Sequence, residues 1–271
     1  MRYTFLIFIL FSFVVANAAR VDTLSIESKA LRGMTKCVVI TPDKYDANTD
    51  IRLPVVYLLH GYSGDFSNWV TRVPEIKEYA DKYQLIIVCP DGKNSFYLNN
   101  VNNNLPQYED YIALELPAFI DSHYRTLSDK LFRVITGLSM GGHGAVVAAV
   151  RHQDVFGAAG SMSGVMDLVG RRMRKEIIDA IGDTSVEKVG AFSSVQLAEV
   201  REIKLPLIID CGVDDPLLPG NRELHRVLTA RKIAHDYIER DGAHSWDYWR
   251  NSIEYHLLFF RKWFDKNLLK S

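Results

Sequence analysis

The chain has no excess of charge of either sign: 32 Lys and Arg stand against 33 Asp and Glu, a formal net charge of −1. That balance excludes the basic footprint of a nucleic-acid binder and the polybasic patch that holds a protein to an anionic membrane. Cysteine is scarce and odd in number, with only Cys37, Cys89 and Cys211. Their spacing matches no metal motif and each lies in an apolar, strand-like run. Small buried core residues are therefore expected, rather than a disulfide framework or a metal centre. Beyond the first residues no apolar run reaches the about 20 residues needed to cross a bilayer. Internal repeats and linker-like stretches are also missing, so one large domain is expected.

The amino-terminal segment stands apart. Arg2 supplies a positive start, Phe5 to Val15 is almost wholly apolar, and Ala16-Asn17-Ala18 has the small-x-small form of a cleavage site. Residues 1–18 read as a secretory signal peptide, which implies a periplasmic or secreted protein with no stable membrane insertion after cleavage.

From there, short apolar runs alternate with helical patterns. Leu53 to Leu59, Gln84 to Cys89, Leu131 to Thr136 and Leu205 to Cys211 are rich in Val, Ile and Leu, as strands buried on both faces require; Gly157 to Ser161 and Asp236 to Arg240 are further strand candidates. Helices are expected over Tyr108 to Tyr124, with Pro117 near a start or kink, over Gly142 to Val150, Asn221 to Arg231 and Trp246 to Leu269. This alternation predicts an α/β fold with a mainly parallel central sheet flanked by helices. Two stretches interrupt it: the Asn-rich Asp91 to Gln107, and the charged, weakly helical Met166 to Lys204. Both are candidate insertions over the carboxyl end of the sheet, where open α/β folds bind ligands, and 166–204 is a candidate lid.

Gly137-Leu138-Ser139-Met140-Gly141 follows the run ending at Thr136 and precedes an Ala-rich helix candidate. Strand, tight turn, helix is the setting in which G-x-S-x-G exposes a nucleophilic serine. A serine hydroxyl needs a base, and the base a carboxylate that orients it. Among the histidines after the elbow, His244 lies in a glycine-containing turn between a strand and the last helix. His152, His225, His235 and His256 fall on or beside helical patterns. His244 is accordingly the candidate base. The acid is expected after the run ending at Cys211, where Asp214 and Asp215 are adjacent and spacing does not separate them. An oxyanion hole needs two backbone N–H groups, one from Met140 and one from the loop His60-Gly61-Tyr62-Ser63-Gly64. His60 precedes the serine, so it is expected to pack or hydrogen-bond beneath that hole. Trp69 and Tyr97 are candidates to line a substrate pocket. No motif for a metal or an organic cofactor is present.

Leu58-Leu59-His60-Gly61, Pro90-Asp91-Gly92, Gly137 to Ala145, Asp210 to Asp215, and Gly242-Ala243-His244-Ser245-Trp246-Asp247-Tyr248-Trp249 together resemble the putative esterase (esterase D-like) family of α/β-hydrolases. That family includes feruloyl esterases, S-formylglutathione hydrolases, tributyrin-type esterases and mycolyltransferases. The likeness runs from about Cys37 to the carboxyl terminus. It implies a single α/β-hydrolase domain over 19–271 and a Ser139–His244–Asp215 triad, with Asp215 rather than Asp214 as the acid. It also implies Tyr62 and Met140 as oxyanion donors. The expected activity is hydrolysis of short-chain acyl esters, acetyl or feruloyl esters of carbohydrate among them, without cofactor. An acyltransferase using the same triad with a carbohydrate acceptor, and a non-catalytic carbohydrate-binding relative, are the alternatives.

Overall fold

The structure, a computed structural model, describes residues 19–169 and 173–269. The predicted signal peptide at 1–18 lies outside the described residues, as do 170–172 of the candidate lid. One sheet of eight strands runs through the molecule in the order β1-β2-β4-β3-β5-β6-β7-β8. Its strands are β1 (Arg20–Ser28), β2 (Gly33–Thr41), β3 (Val55–Leu59), β4 (Ile86–Pro90), β5 (Arg133–Gly137), β6 (Ala158–Met162), β7 (Leu207–Gly212) and β8 (His235–Arg240). β1 and β2 form an antiparallel pair on one edge, and β2 joins β4 antiparallel; every pairing from β4 to β8 is parallel.

The helices are α1 (Asp43–Ala47), α2 (Asn68–Arg72), α3 (Ile76–Tyr83), α4 (Tyr108–Asp110), α5 (Leu116–His123), α6 (Met140–Arg151), α7 (Lys175–Ile181), α8 (Val186–Gly190), α9 (Ser194–Val200), α10 (Leu218–Ala230) and α11 (Trp246–Leu268). The run predicted as one helix over Tyr108 to Tyr124 is divided: a π turn at Tyr111–Glu115 separates α4 from α5, and Pro117 sits in the first turn of α5. Proline fits there because a first-turn N–H has no intrahelical acceptor to lose.

Strand residues alternate between two cores. Val55, Tyr57 and Leu59 of β3 face one layer with α5, α6, α9 and α10, while Val56 and Leu58 face the other with α2, α3 and α11. Helices on both faces leave no polar side to these strands, hence continuous apolar runs in place of alternation. The three cysteines are buried and free, as their apolar settings suggested.

The chain leaves β3 toward β4 on one side and returns to build β5 on the other. Loops after β3 and β5 therefore part in opposite directions, opening a crevice at the carboxyl ends of the strands. Met166 to Lys204 forms α7, α8 and α9 and supplies part of that crevice's wall.

Candidate active site

Ser139 stands at the carboxyl end of β5 with φ 52° and ψ −114°, immediately before α6. A non-glycine residue holds this sparsely populated conformation only where its surroundings over-determine it. Here they do. Ser139 N–H donates to Met162 C=O at 2.9 Å, and Ser139 C=O accepts from His143 N–H at 3.1 Å. The flanking glycines are required by space: a Cβ on Gly137 would lie 2.7 Å from Leu59 Cβ, and one on Gly141 would lie 2.5 Å from His60 O. Both neighbours belong to β3 and its loop, so strand and helix approach more closely than a side chain allows.

His244 lies on the loop between β8 and α11, where Ser245 caps α11 by accepting from Tyr248 N–H. Its Nε2 is 2.9 Å from Ser139 Oγ, and its Nδ1 is 2.7 Å from Asp215 Oδ2. Asp215 is buried, and its Oδ1 accepts from Leu217 N–H at 2.8 Å. Burial alone would raise its carboxyl pKa, but the hydrogen bonds from His244 and Leu217 outweigh it and hold the group below its ordinary value. An ionised carboxylate can only accept, so the imidazole proton resides on Nδ1 and the Nε2 lone pair faces the serine hydroxyl. Asp214, by contrast, is exposed. Of two adjacent aspartates, the fold brings only Asp215 to the histidine.

On the opposite side of Ser139, the loop after β3 brings Tyr62 beside it, and the N–H of Met140 opens α6. Among the described residues neither backbone N–H has a hydrogen-bond acceptor. Two such donors beside a serine hydroxyl are an arrangement that could receive a developing oxyanion. His60 braces this loop from below. Gly92 N–H donates to its Nε2 at 2.8 Å, and its Nδ1–H donates to Gly61 C=O at 2.7 Å. His143, in the first turn of α6, donates Nδ1–H to Val165 C=O at 3.0 Å; burial pulls its pKa down to about 4, so it stays neutral and structural.

Two cavities meet at Ser139 and His244. One, of about 240 Å³, is walled mainly by apolar side chains, including Phe96, Val165, Leu168, Met173, Ile177 and Leu217. The other, of about 360 Å³, is lined by polar and aromatic groups, including Asn68, Arg72, Trp246 and Trp249. Tyr62 and Arg174 border both.

The two proposed pocket aromatics are corrected by this arrangement. Trp69 is fully buried in the sheet–α11 core, with Nε1–H donating to Leu59 C=O at 3.1 Å. Tyr97 is also buried: it packs so closely on Gly92 and Gly144 that a Cβ at either would fall within 2.6 Å of its ring, and its hydroxyl donates to His60 C=O. Large apolar rings at a sheet edge minimise exposure by turning into the core, and their polar tips find backbone carbonyls there. Each supports a wall without forming it. Phe96, next to Tyr97, takes the pocket position instead. Arg72, Arg174 and Phe96 escaped sequence reasoning because no local pattern links them to Ser139.

Residues 28–260 match the model of the family described as "Putative esterase". An acetyl esterase of Caldicellulosiruptor saccharolyticus is 27% identical over 83% of this chain and 92% of its own length. A solved ferulic acid esterase superposes with a TM-score of 0.80 at 27% identity, covering 91% of this chain and 99% of that one. A fluorophosphonate-binding serine hydrolase of Staphylococcus aureus, FphF, gives 0.80 at 25% identity over 90% and 99%. With an eight-stranded, mostly parallel sheet and with that match spanning most of its length, the chain belongs to the putative esterase family of α/β-hydrolases.

Proposed function

We propose that the protein is an exported serine carboxylic ester hydrolase. In this reading it cleaves short-chain acyl esters, acetyl or feruloyl esters of carbohydrate among them, through an acyl-enzyme on Ser139. The observation that carries the reading is the unbroken relay from Asp215 through His244 to Ser139, with both links at hydrogen-bonding distance. His244 Nε2 takes the hydroxyl proton as Ser139 Oγ attacks the ester carbonyl. The Tyr62 and Met140 N–H groups receive the oxyanion, and Asp215 stabilises the imidazolium. That imidazolium then protonates the departing alcohol. In the second half, His244 deprotonates a water, which attacks the acyl-enzyme and releases the acid and the free serine.

The apolar cavity suits the acyl group, because its walls bury hydrocarbon and offer few polar partners. The polar cavity suits a hydroxylated alcohol. Export rests on the character of residues 1–18, and among the described residues no helix is long and apolar enough to cross a membrane. Comparing acetyl, butyryl and feruloyl esters, with and without an attached sugar, tests the assignment. Turnover of acetyl and feruloyl sugar esters with release of free acid is the expected result. Transfer of the acyl group to an added saccharide in place of water would reassign the protein as an acyltransferase, and absence of turnover on every ester would overturn the catalytic reading.

A further inference from the structure

Among the described residues the polar cavity is lined by two guanidinium groups and no carboxylate. Arg72 ends α2, one helical turn beyond Asn68, and Arg174 precedes α7; both line the space that reaches Ser139 and His244. Among the described residues neither forms an ion pair with an acid. The acids nearby have other partners, although the Arg174 charge, after the Tyr62 hydroxyl, helps hold the Glu176 carboxyl below its ordinary value. Asp65 accepts from the N–H and hydroxyl of Ser67, both at 2.7 Å, Glu75 pairs with Arg250, and Glu176 accepts from the Tyr62 hydroxyl at 2.6 Å. The Arg174 guanidinium lies 3.9 Å over the Tyr62 ring.

The opposite wall is aromatic and rigid. Trp246 is held edge-to-face by Trp69 at 5.3 Å and by Trp249 at 5.5 Å, and Trp249 stands perpendicular to His244 at 4.8 Å. Trp249 is buried, and its indole N–H has no acceptor in the structure. That N–H is closed off from solvent, so Trp249 offers the cavity its ring and not a donor.

From this juxtaposition we propose that the polar cavity is a leaving-group subsite for a saccharide carrying a carboxylate, a uronic-acid residue whose esterified hydroxyl is presented to Ser139. The inference rests on the esterase reading above and adds the chemistry of the alcohol. The carboxylate accepts from Arg72 and Arg174, whose planar forks match it, and the sugar ring packs on the wall formed by Trp246 and Trp249. His244 borders the same cavity, so the alcohol oxygen released there is within reach of the imidazolium that protonates it.

The test compares kcat/KM for an O-acetylated methyl galacturonide with that for its neutral methyl ester. A second pair, S-acetylglutathione and S-acetyl-N-acetylcysteamine, offers carboxylates without a sugar. The wild type is expected to prefer the acidic sugar by about tenfold, the order expected of hydrogen bonds to a charged group. The preference should shrink as salt rises from about 50 to 500 mM. In Arg72→Gln/Arg174→Gln the ratio should approach one, and Arg72→Lys/Arg174→Lys should restore part of it. Because the readout is a ratio within each variant, a uniform loss of folded enzyme cancels. Equal rates for acidic and neutral sugars in the wild type, or an unchanged ratio in the glutamine variant, overturn the subsite; a preference confined to the glutathione pair overturns the saccharide occupant. Hydrolysis of the neutral esters, abolished by Ser139→Ala, keeps these failures distinct from failure of the esterase reading.

Discussion

Ser139 combines a place at the meeting of two cavities with a backbone conformation that few residues tolerate, and both follow from its position between β5 and α6. Replacing it by alanine removes one oxygen and leaves the turn intact. Ser139→Ala should therefore lose nearly all hydrolysis of p-nitrophenyl acetate while its thermal melt stays within a few degrees of the wild type. Asp215→Asn should reduce kcat by on the order of 10⁴-fold, since an amide at that site no longer enforces the productive imidazole tautomer. Asp214→Asn, altering an exposed side chain, should have little effect on the same assay. Asp91 permits a pH prediction. Burial opposes its ionisation, but the Lys93 ammonium at 2.6 Å and the Lys93 N–H at 2.9 Å prevail and hold its pKa below its ordinary value. A depressed carboxyl pKa stabilises the fold fully above the unfolded value, and the contribution disappears as pH falls through the folded one. The difference in urea midpoint between wild type and Asp91→Asn should thus be large at about pH 6 and shrink from about pH 4 toward pH 2.

At the scale of elements, the site depends on how closely α6 approaches β3. Gly141→Ala would put a methyl group 2.5 Å from the backbone oxygen of His60, with no flexible side chain to yield. Overpacking of this kind costs about 1–3 kcal/mol, and here the displaced atoms belong to the loop carrying Tyr62. The variant should show a lower urea midpoint and a kcat loss exceeding its loss of folded protein, measured by comparing activity with active-site titration. Helical elements were well marked in the sequence where apolar spacing persists: α10 and α11 lie within a few residues of their expected bounds. The π turn at Tyr111–Glu115 had no such signal, since a single inserted residue leaves the local composition helical.

Across the whole molecule, a buried polar brace links the strands that lead to Ser139, Asp215 and His244. Asp210 of β7 accepts from Arg240 of β8 at 3.1 Å and lies 3.4 Å from His256 Nε2 of α11. His256 Nδ1 in turn is 2.8 Å from Thr136 Oγ1 of β5. Thr136, Asp210 and Arg240 precede Ser139, Asp215 and His244, respectively, on the strands that lead to them. Removing the acid leaves Arg240 and His256 facing an empty, poorly solvated site. Asp210→Ala should therefore destabilise the protein by about 3–5 kcal/mol, measured by urea unfolding.

The sequence by itself determined the strand–turn–helix around Ser139, the α/β layering and the choice of His244. Each of these is written in local features: a continuous apolar run, glycines at fixed offsets, a histidine outside any helical face. Asp215 over Asp214 came from the family's wider pattern, and the structure places its carboxylate against the imidazole. Tertiary structure alone decided which aromatic residues border the cavities and which support them. Trp69 and Tyr97 are as apolar in sequence as Phe96, but burial depends on what the strands and helices pack against, not on the residues beside them in the chain. That Arg72 and Arg174, 102 positions later in the numbering, line one cavity was equally invisible, because it arises only when α2 and the segment before α7 come to the same end of the sheet.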